Sequence, residues 1–161
     1  MIEIPLSKSG KHAGKYAAIV DESDRDLSDL NWYFKDSRGS IYARRGYCKK
    51  VIYIHRLICE RILNRSLNPG ELVDHKNGIT LDNRRENIRV CSSSQNGMNK
   101  SIQRNNKLGY KGVTIHQGKI RATIVVDRKS LHIGYFSTLE EAHKAYCVAA
   151  VEYFGEFARF E

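Results

Sequence analysis

Residues 72–96 read LVDHKNGITLDNRRENIRVCSSSQN, and the reading of this stretch decides the fold. It gathers Asp74, His75, Asn77, Asp82, Asn83, Arg84, Arg85, Asn87, Arg89 and Asn96 in one short run. A core segment holding that many polar groups would leave some of them unpaired. A flexible loop has no use for Ile79, Leu81, Ile88 and Val90 at spaced intervals. ELVDH therefore reads as a short strand, and KNGITLDNRREN as a loop with Asn77-Gly78 as a tight turn. IRVC reads as a second short strand. SSSQNGMNK offers serine N-caps for a helix that contains Asn96, Asn99 and Lys100. The expected unit is strand, loop, strand, helix.

The residues in this unit suit phosphodiester hydrolysis. That reaction needs a base for water, a cation near the phosphate and the leaving 3′ oxygen, and a frame that fixes the geometry. His75 is the imidazole of the stretch, and neutral histidine is the natural base near neutral pH. Asp74 offers a hard carboxylate oxygen and Asn96 a hard carboxamide oxygen, the donors that Mg²⁺ or Mn²⁺ takes. Lys100, four residues on, shares a helix face with Asn96 and can meet a phosphate. Asn87 can bond backbone across the loop and orient His75. Asp74 and His75 are neighbours, so in a regular strand they point apart. Serving one site requires the strand to end there. The same residues also fit an Asx-rich structural loop with a hydrogen-bonded histidine.

Upstream, KYAAIV (15–20) reads as a strand and DESD as a turn or loop. NWYFKD (31–36) and SIYARRGY (40–47) read as a hairpin with Gly39 in its turn. VIYIHRLICERIL (51–63) begins as a strand and becomes a one-sided helix, stopped by NRSLNPGE. His55 is expected as a side chain packed at that helix start rather than as a direct phosphate contact, and Arg56 is the better phosphate candidate of that turn. Downstream, SIQRNNKLG (101–109) reads as a basic linker. YKGVTIH (110–116), KIRATIVV (119–126) and SLHIGYF (130–136) read as three strands, the middle one alternating cleanly. STLEEAHKAYCVAAVEYFG (137–155) reads as a helix with a Thr138–Glu141 capping box and Gly155 at its end. Its expected buried stripe is Ala142, Ala145, Tyr146, Ala149, Ala150 and Tyr153.

The 161 residues are 41% hydrophobic and 28% charged, which suits one or two modest globular domains. No apolar run is long enough for a transmembrane helix, and the polar, basic start MIEIPLSKSGKHAGKY has no signal-peptide character. A cytoplasmic protein with no membrane partner is expected. The four cysteines, Cys48, Cys59, Cys91 and Cys147, form no C-x-x-C pair, so a zinc ribbon is not expected. Cys59 and Cys147 are expected in the core. The net charge is +9, and residues 98–135 carry eight Lys and Arg against the single acid Asp127. That segment holds +7 of the +9 and points to a polyanion such as nucleic acid.

HRLI (55–58), VDHKNG (73–78), LDNRRENIRV (81–90) and SQN (94–96) resemble the HNH homing endonucleases of phages and mobile introns. EIPLSKSGK and VDESD extend the resemblance over roughly residues 2–100. It implies a ββα-metal nuclease domain with a small antiparallel sheet and makes His75 the general base. Asn87 matches the middle residue that orients the histidine, with Asn83 a near alternative. Asn96 stands where the last histidine would be. In this H-N-N variant Asp74 and Asn96 are implied to bind one Mg²⁺ or Mn²⁺ ion. A phage- or mobile-element-encoded enzyme working in a bacterial host is implied as well.

YKGV, GYFSTLEEAHKAY and AAVEYFG resemble the plant apetala-type, ethylene-response-factor DNA-binding domain. The resemblance implies a three-stranded antiparallel sheet packed on one helix, with the open face against double-stranded DNA. Lys111, Thr114, His116, Lys119, Arg121, Thr123 and His132 are the expected DNA-facing residues, with Lys100, Arg104 and Lys107 from the linker region. Thr114 and Ile120 stand where the plant domains place Arg and Trp. The expected chain is α+β: an HNH endonuclease domain at 1–100, a linker at 101–109 and a DNA-binding domain at 110–161. The expected activity is homing-type DNA endonuclease, nicking one strand per monomer. A DNA-binding regulator with an inactive nuclease site is the alternative, and an RNA-binding protein a weaker one.

Overall fold

A computed structural model of the protein describes residues 1–7, 13–37, 39–100, 102 and 106–160. The chain divides into two compact units, Met1–Ser92 and Ser93–Glu161.

The first unit opens with β1 (Ile2–Leu6) and β2 (Tyr16–Val20), an antiparallel pair with Ile4 opposite Ala18 and Leu6 opposite Tyr16. Strand β1 was not expected, because IEIPL is too short and too close to a polar run to stand out. Its alternation is nevertheless clean: Ile4 and Leu6 are buried while Glu3 and Pro5 face out. DESD lies in a 3-10 segment, Glu22–Asp29, rather than a simple turn. Then β3 (Tyr33–Ser37), β4 (Ser40–Tyr47) and β5 (Lys50–Tyr53) form an antiparallel meander. Helix α1 (Ile54–Leu63) follows β5 directly and stops at Asn64, which takes the left-handed conformation with φ 52°.

Strands β6 (Leu72–His75) and β7 (Ile88–Cys91) pair antiparallel and complete this unit. Ile4, Leu6, Ala18, Val20, Leu27, Trp32, Ala43, Ile54, Ile58, Cys59 and Ile88 form its core. Trp32 is fully buried, and its indole Nε1 donates to Leu27 O at 2.8 Å, so the ring costs no unpaired donor. Asp24 is also fully buried; Arg61 Nη1 (2.9 Å) and Arg85 Nε (2.7 Å) donate to its carboxylate. The 3-10 segment, α1 and the loop before β7 are thereby pinned to one charge.

The second unit begins with α2 (Ser93–Met98). This helix ends two residues before Lys100, so the expected shared face of Asn96 and Lys100 is not formed. Gly97 sits in its last turn, where glycine lowers helix stability. Strands β8 (Val113–His116), β9 (Lys119–Val126) and β10 (Lys129–Phe136) form an antiparallel sheet in the order β10-β9-β8, with α3 (Leu139–Phe154) packed on it. The Thr138–Glu141 capping box is present, and Gly155 ends the helix at φ 53°. Ala142, Tyr146, Ala149, Ala150 and Phe154 are the buried stripe. Tyr153, expected there, is exposed, because the row 142-146-150-154 runs to Phe154 instead. Ala145 is only half-buried, and Cys147 lies at the edge of the core beside His143.

Gly112 has φ 77°, and a Cβ there would collide with the Tyr146 ring. Gly112→Ala is expected to destabilise this unit by about 3 kcal/mol, from the left-handed backbone and overpacking together. Urea denaturation read by far-UV circular dichroism would check this.

Candidate active site

Register places the central residues. In the β6–β7 pair Asp74 lies opposite Arg89, and His75 lies opposite Ile88. Arg89 Nε donates to Asp74 Oδ2 at 2.9 Å, and Nη2 approaches the same oxygen at 2.8 Å. Both side chains are largely buried. Strand β6 ends at His75, and Gly78 N donates back to His75 O at 2.8 Å to start the turn. The break that the sequence required after His75 is thus present.

The loop between the strands is a rigid frame built from carboxamides. Asn87 accepts from Asn77 N at its Oδ1 (3.0 Å) and donates through Nδ2 to Asp82 O (2.7 Å). It bonds backbone across the loop, as its position suggested. Asn77 Nδ2 donates to Asp82 Oδ2 (2.8 Å), and Arg84 Nε donates to Asp82 Oδ1 (2.8 Å). Ile19 N donates to Leu81 O and Asn83 N to Ile19 O, each at 2.8 Å, which docks the loop on β2.

The side chain that meets His75 is Asn83, not Asn87. Asn83 is almost fully buried, and its Nδ2 donates to Leu81 O at 2.8 Å. That bond turns Oδ1 toward His75 Nε2, 3.4 Å away. Nε2 then carries the proton and donates to Oδ1, which leaves the lone pair on Nδ1. Burial pushes the His75 pKa down, more than the Asn83 hydrogen bond and the Asp74 and Asp82 charges raise it. The ring is therefore neutral at neutral pH.

A wall of rings stands beside His75. His55, at the start of α1, is 5.4 Å from it between centroids at 71°, and Tyr42 of β4 is 6.4 Å away. Burial, and after it the Asp74 charge, raises the Tyr42 phenol pKa. Arg89 and Tyr42 escaped the sequence reading. The ladder that pairs Arg89 with Asp74 depends on the loop geometry, and Tyr42 arrives from a different sheet.

The remaining expected residues fall elsewhere. Arg56 is half-buried on α1. Asn96 is half-buried on α2, in the second unit; Lys100 and Lys107 are exposed there, and Arg104 lies outside the described residues. Cross-strand register puts Thr114 beside Arg121, His116 beside Lys119, and His132 beside Thr123 on one sheet face. Tyr135 completes that face, its ring 4.8 Å from His132 and 5.9 Å from Lys119 Nζ. Lys111 is turned away from it. Its Nζ donates to Met98 O (3.2 Å), Lys100 O (2.7 Å) and Arg159 O (2.8 Å), using all three protons. Burial, then the Arg159 charge, pushes its pKa down to about 8.

Among the described residues no three His, Cys, Asp or Glu side chains gather as a metal cluster. The donors on hand are hard oxygens, and Mg²⁺ is held in proteins by as few as one or two carboxylates with water and substrate phosphate. Asp74 fits such an ion in kind, though an ion would share that carboxylate with Arg89.

No helix among the described residues is long and apolar enough to cross a membrane. Residues 52–98 match the HNH endonuclease family. An uncharacterized HNH endonuclease of Acanthamoeba polyphaga mimivirus is 28% identical over 149 residues, covering 92% of this chain and 76% of that protein. No solved structure matches the chain. Asp74, His75, Asn83, Asn87 and Asn96 all lie within the residues that match the HNH endonuclease family.

Proposed function

We propose that the protein is a DNA endonuclease of the homing type, in which His75 activates water against a phosphodiester. The observation that carries this reading is the placing of His75: buried at the end of β6, with Asn83 Oδ1 3.4 Å from its Nε2. In the proposed step Nδ1 takes a proton from water, the water oxygen bonds to phosphorus, and the bond to the 3′ oxygen breaks. Asn87 and Asp82 keep the loop in register while Asn83 holds the ring. A Mg²⁺ or Mn²⁺ ion held by Asp74 would neutralise the charge on the phosphate and the leaving oxygen; Asn96, its expected partner ligand, belongs to the second unit. One such centre cuts one strand per event, so a monomer nicks.

The face made by Thr114, His116, Lys119, Arg121, Thr123 and His132 is proposed to hold the DNA, with Lys100, Arg104, Lys107 and Arg56 on phosphates. Replacing Lys119 or Arg121 by alanine should flatten the slope of log affinity against log salt by about 0.9 each, one phosphate contact apiece. Fluorescence anisotropy at several salt concentrations measures it.

Incubation of the full chain with phage or intron-homing-site DNA and Mg²⁺, with and without EDTA, tests the activity on a denaturing gel. Asp74→Asn and Asn96→Ala should each abolish nicking. Cutting that persists in EDTA would sink the metal assignment. The second reading, a DNA-binding regulator with a silent site, is favoured by one observation: Arg89 occupies Asp74 Oδ2. It predicts site-selective DNA binding with no nick in any divalent ion.

A further inference from the structure

The meander β3–β4–β5 has two faces of different character. Phe34 lies opposite Ala43, and both turn into the core of the first unit together with Ile52 of β5. The outer face carries Tyr33, Arg44 and Tyr53 in one row and Lys35 with Tyr42 in the next. Tyr33 is 53% exposed, Lys35 is exposed and Arg44 is half-buried. This face runs up to the candidate base. Tyr42 and Tyr53 each stand 5.4 Å from His55 between centroids, and Tyr42 stands 6.4 Å from His75. Thr80 Oγ1 donates to Ile41 O at 2.6 Å, which ties the β6–β7 loop to β4.

The cations of the face stand apart from the rest of the unit. Arg25, Arg61, Arg65, Arg84, Arg85 and Arg89 each pair with a carboxylate. Arg45, on the inner face, lies over the Trp32 and Tyr47 rings. Arg44 and Lys35 meet no carboxylate among the described residues. A guanidinium in that state suits a phosphate, which its planar fork meets with two parallel N–H donors. Lys35 and Arg44 are diagonal neighbours, roughly 7–8 Å apart across the sheet, so one strand can meet both.

We propose that the outer face of β3–β5 is the surface on which the first unit seats its DNA substrate. Arg44 and Lys35 each hold a backbone phosphate, and the Tyr33 ring lies against a deoxyribose. The proposal rests on the endonuclease reading of His75. It gives that reading a substrate surface inside the first unit, beside the base.

Fluorescence anisotropy of the full chain on a labelled duplex, in EDTA and at several salt concentrations, tests it without any cutting. Arg44→Ala and Lys35→Ala should each flatten the slope of log affinity against log salt by about 0.9, one phosphate contact apiece. Tyr33→Ala should weaken binding severalfold and leave the slope alone, because it removes a contact but no charge. Lys50→Ala is the control. Lys50 is exposed at the start of β5 and shares the face of Ile52, so its loss should leave the slope unchanged. A wild-type slope in either cation variant, unchanged affinity in Tyr33→Ala, or an equal flattening in Lys50→Ala overturns the proposal. Should the half-buried Arg44→Ala fail to fold, the exposed Lys35→Ala decides. Flattened slopes in variants of a protein whose wild type never nicks would instead overturn the endonuclease reading and leave the DNA surface standing.

Discussion

Replacing His75 by alanine is expected to slow DNA nicking ~10²- to 10⁴-fold, the usual worth of a positioned base. DNA affinity should hardly move, because the ring is buried and offers little surface to the duplex. The neighbouring variant Asn83→Ala should reproduce part of the loss, since Asn83 Oδ1 fixes which imidazole nitrogen carries the lone pair. Asn87→Ala should act differently. It removes two ties of the loop to its own backbone, so its defect should come with a lower melting temperature. Single-turnover nicking under saturating enzyme, alongside thermal melts, separates these outcomes. Near-wild-type cutting by His75→Ala would mean that another group activates the water.

The largest expected effect on the stability of the first unit comes from Asp24. Its carboxylate is fully buried between Arg61 and Arg85, and Asp26 engages the same Arg61. Asp24→Ala leaves two guanidinium groups facing a vacated buried site. The expected loss is about 3 kcal/mol, the low end of the range for removing one partner of a buried pair, because both guanidiniums stay about a third exposed and Arg61 keeps Asp26. The pH dependence has a defined sign. Burial alone would raise the Asp24 pKa, but the hydrogen bonds and charges of Arg85 and Arg61 outweigh it and hold the pKa below the ordinary 3.8. A depressed folded-state pKa contributes stability that is present above the unfolded value and is lost as pH falls through the folded one. The first unit should therefore weaken below about pH 4, and Asp24→Ala should flatten that decline. Urea melts between neutral and acidic pH would show it. A variant as stable as wild type at neutral pH would mean that the network adds nothing net.

How much was readable from sequence follows from the range over which each signal acts. The Thr138–Glu141 capping box and the alternation of residues 119–126 are local, and both are present in the fold. The strand-to-helix passage through residues 51–63 was equally local, carried by a change of apolar period at Ile54. The frame around His75 was readable in its parts, as a strand end, an Asx-rich loop and a second strand. What escaped depends on contacts between distant segments. Tyr42 approaches His75 from another sheet, and Thr80 Oγ1 donates to Ile41 O at 2.6 Å across 39 positions. The division of labour between Asn83 and Asn87 turned on which carboxamide points inward, and spacing carries no such information. Lys111 looked like a surface cation because composition cannot see the three carbonyls that converge on it.

Trp32 has a practical consequence for separating the two halves. It is the sole tryptophan of the sequence, it is fully buried, and it belongs to the first unit. Excitation at the red edge of the absorption band therefore interrogates that half alone. Its emission should start blue-shifted, as expected for an indole out of water, and move red when the first unit opens. The second half carries tyrosines but no indole, so its melting will be silent in that channel and visible only by ellipticity or tyrosine signal. Recording both on one unmodified sample would tell whether the two halves unfold together, with no label and no truncation.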